Sequence, residues 1–209
     1  MIRRSLRARF HQIGWEPFAP ESLPSGPLIL YANHHTWFDG YLMYALVTQL
    51  KVRCVDWITE FHAFPLFARV GGMPFPAEDP AVRSRTIRST LRLMRDEGRS
   101  LVIFPEGVLH PGPEVMPFGR ALALIQRQVP HAHLVPVAIH TTFDLHERPE
   151  AWLRLGEPIR ASSCDDPRDA LVKLGQGLVV SVRDNPAEFC GLSPGTLDVN
   201  ERWGRARKR

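Results

Sequence analysis

Two short stretches carry residues whose types and spacing suit acid–base chemistry. In LILYANHHTWFDG, residues 28–40, an apolar run stops at Asn33, His34 and His35 follow, and Asp39 stands five residues after His34. On a continuous helix five residues separate two side chains by about 140°, so the pair would diverge. At a strand-to-helix turn His34 closes the strand and Asp39 opens the helix. The carboxylate can then accept an imidazole N–H, fix the tautomer and leave the other ring nitrogen as a base. Such a base can take the proton of a hydroxyl attacking an acyl carbon, following the logic of the serine-protease triad with the substrate's own hydroxyl as nucleophile. A second stretch, LVIFPEG at 101–107, has the same form and ends in Glu106 and Gly107. Both stretches read as strand ends facing one cleft. Spacing alone leaves three uses open for the first: catalysis, a helix start with Asp39 as a first-turn acid, or a metal site. The last needs a further strong ligand beyond His34, His35 and Asp39, with His62 or His110 as the candidates.

The elements that would position these residues alternate between strand and helix patterns. Leu28–Ala32, Lys51–Ile58, Leu101–Phe104, Leu134–Ile139 and Trp152–Leu155 read as strands, and Pro136 places the fourth at an edge or a bulge. Helices are predicted over Thr36–Leu50, from Asp79-Pro80 to Glu97 before Gly98, over Arg120–Gln128, and from Asp166-Pro167 through Leu171, Leu174, Leu178 and Val182. This alternation predicts an α/β fold: a single-domain mixed, largely parallel sheet flanked by helices, with the domain over 19–190. Residues 1–18 space Ile2, Leu6, Phe10 and Ile13 along one helical face, which fits an amphipathic membrane-contact helix or a helix packed on the domain. Residues 191–209 read as a basic flexible tail. Phe61, Phe64, Phe67 and Phe75 are candidates for lining an apolar channel, and Arg85, Arg88, Arg92 and Arg95 share a solvated helix face.

Charge and composition narrow the function classes. The formal charge of +4 sits in the ends: residues 1–9 hold four arginines and residues 201–209 five basic residues beside Glu201, leaving 17 basic against 21 acidic residues between them. That argues against a basic nucleic-acid groove and fits ends that meet an anionic surface such as a membrane. Cys54, Cys164 and Cys190 show no CxxC spacing, so a disulfide framework or zinc ribbon is not expected and a reducing cytosol is. No apolar run reaches transmembrane length, and the start lacks a signal-peptide core. GxSxG, GxGxxG and Walker patterns are absent, which disfavours an α/β-hydrolase and the corresponding nucleotide folds.

Asn33-His34, four residues and Asp39 together resemble the NHx4D motif of the glycerolipid acyltransferases, the family of the lysophosphatidic acid acyltransferases. Phe104-Pro105-Glu106-Gly107 resembles the family's FPEG motif, Val135–Ile139 its VPV-type strand, and Leu155–Ile159 the GxP segment after it. The resemblance implies transfer of a fatty acyl group from acyl-CoA or acyl carrier protein to a lipid hydroxyl, without a metal or further cofactor. It implies His34 as general base, Asp39 as its orienting partner, and Asn33, Glu106 and Gly107 on the acceptor or transition-state side of the cleft. Apart from the resemblance, a backbone N–H near Gly107 is suited to an oxyanion, because glycine lets the chain approach closely. A peripheral place on the inner face of the cell membrane is the expected location. Two positions depart from the family pattern. Glu78 stands where the second motif carries an arginine, and Leu109 where FPEGTR carries another. Neither can supply an arginine fork to a phosphate. The expected acceptor is therefore not lysophosphatidic acid but a neutral or amine-bearing lipid, a glycosylated lipid or another hydroxyl compound, unless Arg83, Arg85 or Arg120 restores a phosphate site. The rivals are a thioesterase-like or metal-dependent hydrolase using the same His/Asp pair, and a non-catalytic lipid- or carrier-protein-binding relative.

Overall fold

The structure, a computed structural model, describes residues 1–63 and 65–206. Its centre is the strand β2 (Leu28–Ala32), all five residues of which are buried. Around it the described residues form a nine-stranded sheet. Chain order supplies β1 (Gln12–Trp15), β3 (Cys54–Ile58), β4 (Gly72–Pro74), β5 (Ser100–Ile103), β6 (His133–Thr142), β7 (Glu150–Leu155), β8 (Ile159–Arg160) and β9 (Cys190–Ser193). The spatial order is β4-β3-β5-β2-β6-β7-β1-β9, with β8 also against β6. The block from β4 to β6 is parallel throughout; β7 and β8 pair antiparallel with β6, β1 runs parallel to β7, and β9 pairs antiparallel with β1. A parallel block buried on both faces explains why its strands read as continuous Val/Ile/Leu runs.

Helices cover both faces. On one lie α1 (Ile2–Arg9) and α2 (Asp39–Gln49), whose Leu6, Leu42, Met43 and Leu46 are fully buried. On the other lie α3 (Pro80–Glu97), α4 (Arg120–Gln128) and α5 (Pro167–Asp184), contributing Met94, Leu122, Ile125, Leu171 and Leu178. The helix starts follow local chemistry. Asp79 accepts the Val82 N–H at 2.9 Å, Asp166 accepts that of Asp169 at 2.9 Å, and proline occupies the first position of both helices. Gly98 ends α3 at φ +61°, where a side chain would be strained.

Three expectations need correction. Residues 1–18 are not one helix: α1 stops at Arg9, and Gln12–Trp15 enter the sheet between β7 and β9. The burial of Leu6 and Phe10 turns the apolar face inward, onto the domain. The segment after 190 is not a plain tail, because Cys190–Ser193 form a strand and Val199–Ala206 a further helix, α6. Pro136 is neither at an edge nor in a bulge of its own strand; it lies in central β6, paired with Tyr31 of β2. Its carbonyl accepts the Gly156 N–H at 2.9 Å, so its missing donor faces the interruption between β7 and β8, where a regular ladder is absent.

Candidate active site

Strands β2 and β5 are parallel neighbours, but the helices that follow them leave on opposite faces, α2 to one and α4 to the other. Their loops must part, opening a crevice at the carboxyl ends of the strands, the place where open α/β sheets bind ligands. His34 and Asp39 lie on the β2 side of this crevice, Glu106 and Gly107 on the β5 side.

The turn from β2 into α2 builds the pair that the sequence suggests. His34 Nδ1–H donates to Asp39 Oδ2 at 3.1 Å. The same oxygen accepts the N–H groups of His35 at 2.7 Å and Thr36 at 2.8 Å, and Oδ1 accepts the Thr36 hydroxyl at 2.6 Å. Asp39 is completely buried, so these four donors replace the water its charge has lost. The His34 ring stacks on Phe104, centroids 4.3 Å apart, and its side chain is 24% exposed. Nε2 has no hydrogen-bond partner among the described residues and is free to act on a substrate. Thr36 escapes the sequence argument, although its position three residues before Asp39 is the spacing of a capping box.

Asn33 has a different role from its neighbours. Its side-chain oxygen accepts the Ile139 N–H at 2.8 Å, and its Nδ2 donates to the Ile139 carbonyl at 2.9 Å. The amide thus continues the β2–β6 ladder one step beyond the strand. The second Nδ2 hydrogen meets His35 Nδ1 at 3.0 Å, while His35 Nε2–H donates to the Glu114 carbonyl at 3.1 Å. His35 is thereby held as the neutral Nε2–H tautomer.

Glu106 is enclosed rather than presented to solvent. Oε1 accepts the His34 N–H at 2.8 Å; Oε2 accepts the Met116 N–H at 2.6 Å and lies 2.5 Å from His110 Nε2. It braces the two loops against each other. Gly107 adopts φ +73°, and its own N–H is committed to the Phe104 carbonyl at 3.1 Å, which removes that amide as an oxyanion donor.

The arginines fare differently. Arg83 donates to the carbonyls of Pro76 and Ala77 and holds the turn before α3. That turn follows β4, three strand spacings or about 14 Å from β2. The structure does not bring it to His34. Arg120 opens α4 and is exposed, beside the FPEG loop that Gly119 N–H ties down through the Pro105 carbonyl at 2.8 Å. Arg85, Arg88 and Arg92 are exposed, and Arg95 binds Gln128. Glu78 is exposed, and Leu109 is 49% exposed.

Of the channel candidates, Phe67 belongs to an aromatic path on the His34 face. Trp37, Tyr41 and Phe67 follow one another with centroids 5.3 and 6.3 Å apart. The path leads to a cavity of about 350 Å³ whose lining is mostly apolar, with Ile2, Leu66, Phe67 and Val70, but also includes Arg3 and Arg69. Phe75 stacks instead on Trp57, which donates to Thr90 of α3, and so lies on the opposite face of the sheet. Phe61 packs edge-on against His62, and Phe64 lies outside the described residues. For a metal, the residues that converge are not the expected His34 and Asp39. They are His35, Glu106 and His110, and separately His11, His146, Asp198 and Glu201. The ring nitrogens of His35 and His110 already have protein partners.

The fold is a parallel-centred α/β sheet with a histidine–aspartate pair at its switch point, where open sheets bind ligands. The comparisons supply the family. The sequence model described as Acyltransferase matches residues 18–140, more than half of the chain. The chain belongs to that family. It is 29% identical over 124 residues to the lyso-ornithine lipid O-acyltransferase of Brucella abortus (strain 2308), covering 56% of this chain and 45% of that protein. The chain thus spans less than half the length of this curated relative. The fold is also that of PlsC, the 1-acyl-sn-glycerophosphate (LPA) acyltransferase of Thermotoga maritima, with a TM-score of 0.57 at 18% identity over 88% of this chain and 75% of that one.

Proposed function

We propose that this protein transfers a fatty acyl group from a thioester donor, acyl-CoA or acyl carrier protein, to the hydroxyl of an amine-bearing lipid of the lyso-ornithine type. The observation that carries the reading is the His34–Asp39 pair, with Nδ1 held by a buried carboxylate and Nε2 free at the crevice. His34 Nε2 takes the acceptor's hydroxyl proton as the oxygen attacks the thioester carbonyl. Collapse of the tetrahedral intermediate expels the thiolate, which receives the proton from the imidazolium, giving an ester and a free thiol. The buried Asp39 stabilises the imidazolium between the two steps. The aromatic path and its cavity offer the acyl chain an apolar route away from His34.

The choice of acceptor rests on what the crevice lacks. Glu78 and Leu109 provide no phosphate fork, and Arg83 is committed to the 76–77 turn. The similarity to an acyltransferase of lyso-ornithine lipid points the same way. With the basic α1 beside the cleft, the protein works at the face of an anionic bilayer. The test is product analysis with purified protein, both donor types, and lyso-ornithine lipid or lysophosphatidic acid as acceptor. Ester formation on the former, lost in His34→Ala, is expected. Efficient transfer to lysophosphatidic acid that depends on Arg120 overturns the acceptor, and release of free fatty acid without an acceptor overturns the transferase.

A further inference from the structure

His110 has no part in the acyl transfer just described, yet it is tied to His34 twice. Its backbone N–H donates to the His34 carbonyl at 3.2 Å. Its ring Nε2 lies 2.5 Å from Glu106 Oε2, and the other oxygen of Glu106 accepts the His34 N–H at 2.8 Å. One residue therefore holds the His34 peptide from both sides, directly at the carbonyl and through Glu106 at the amide.

The state of the ring follows from its partners. Nδ1 faces the Pro111 carbonyl at 2.9 Å, and a carbonyl only accepts, so Nδ1 carries a hydrogen. Nε2 faces a carboxylate that also accepts two backbone N–H groups, so it too donates. A ring donating at both nitrogens is an imidazolium. Glu106 needs that charge, because its side chain is wholly enclosed and its other donors are neutral. The titratable groups facing the ring are Glu106, from the loop after β5, and His35, from the loop after β2, whose ring meets it edge-on at 4.9 Å in a neutral tautomer.

We propose that His110 is a positioning residue for His34: as an imidazolium clamped to Glu106 it fixes the His34 peptide, and loss of its proton loosens that peptide and slows acyl transfer. This rests on the function proposed above. The hydrogen bond to Glu106 outweighs burial and holds the His110 ring above the ordinary histidine value. The clamp is thus complete below the free-histidine pKa of about 6.5 and is lost as pH rises through the raised value. Activity is therefore expected to fall on the alkaline side as His110 loses its proton, which gives the pH profile an alkaline limb.

The experiment compares kcat against pH for the wild type, His110→Gln and His110→Ala, with thermal unfolding of each as a control for folding. Glutamine keeps a donor towards Glu106 and does not titrate. Because glutamine supplies a donor but no charge, His110→Gln is expected to show the slower rate of the deprotonated wild type at every pH, with no alkaline limb. His110→Ala is expected to lower kcat by about 10- to 100-fold with little change in KM. An alkaline limb that persists in His110→Gln, or an unchanged kcat in His110→Ala, overturns the proposal. An activity-free arm keeps the two readings apart: in wild-type protein the His34 amide resonance is expected to shift with the midpoint of the His110 ring. Different midpoints defeat the clamp whatever the enzyme does, whereas a shared midpoint without transfer to any acceptor defeats the proposed function and leaves the clamp standing.

Discussion

The pair His34–Asp39 was legible because its spacing makes sense only at a turn, and the chain turns there. What surrounds the pair was not legible, because it depends on residues far away in sequence. Asn33 reads as part of a motif, but its partner is Ile139, 106 residues on, and the contact exists only because β6 extends beyond β2. Glu106 reads as a cleft residue and is instead a buried brace, since the donors that enclose it come from His34, His110 and Met116. Two predictions belong at this scale. Asn33→Ala leaves the buried N–H and C=O of Ile139 without partners and should cost about 2–4 kcal/mol, readable as a lower urea midpoint at unchanged m-value. Asp39→Asn turns an NH2 group towards some of the four donors that converge on the carboxylate. A fall in kcat of about 100-fold or more is expected, with reduced stability. Full activity in Asp39→Asn would remove the charged carboxylate from the mechanism.

At the level of elements, the helices with local signals were legible. Asp79-Pro80 and Asp166-Pro167 announce their own starts, and Gly98 its own stop. The terminal strands were not, because β1 and β9 are four residues each and owe their state to non-local pairing with β7 and with one another. Helix α6 is joined to this edge by a cluster of charged groups. His11 Nε2 meets Glu201 at 2.9 Å and Nδ1 meets Glu150 at 3.3 Å; His146 Nδ1 meets Asp198 at 2.8 Å and Nε2 lies 3.7 Å from Glu150. The two imidazoles stack at 3.4 Å and 8°, a geometry in which their in-plane lone pairs do not converge on one ion. Burial opposes charge on His11, but its hydrogen bonds to Glu201 and Glu150 prevail and raise its pKa. The His11 contact lowers Glu201, and Asp198 is lowered against its own burial by His146. The histidine contribution is full below about pH 6.5 and fades as pH rises through the raised value; the carboxylate contribution is full above the usual carboxylate range and fades as pH falls through the lowered values. The protection factors of the α6 amides, taken relative to intrinsic exchange, should therefore be highest in mildly acidic solution and fall on both sides. In His11→Gln the alkaline fall should shrink, and an unchanged profile there would refute the assignment.

For the whole molecule, the charge pattern gains a direction from the fold. Arg3, Arg4, Arg7 and Arg9 are all exposed on α1, while Leu6 and Phe10 face inward, so a bilayer would meet arginines and not the apolar stripe. The Arg9 guanidinium lies 5.7 Å from the ring of Phe38, the residue before Asp39, which sets the basic helix beside the cleft. Trp37, 56% exposed, stands on the same loop as His34, and no helix among the described residues is long and apolar enough to cross a membrane. Binding to a bilayer should thus be electrostatic first, at about 1 kcal/mol for each arginine near an anionic surface. The double variant Arg3→Gln/Arg7→Gln should lower the partition onto anionic vesicles by roughly 30-fold at low salt, and raised salt should erase the difference as the screening length falls to about 8–10 Å. Trp37 should report the contact as a blue-shifted emission, measured in a Trp203→Phe background because Trp203 is also exposed. Removing residues 1–18 altogether would not serve, since it takes β1 out of the middle of the sheet edge and tests folding instead. Equal binding to neutral and anionic vesicles, indifferent to salt and to the arginine substitutions, would show that the basic helix does not hold this protein to its lipid.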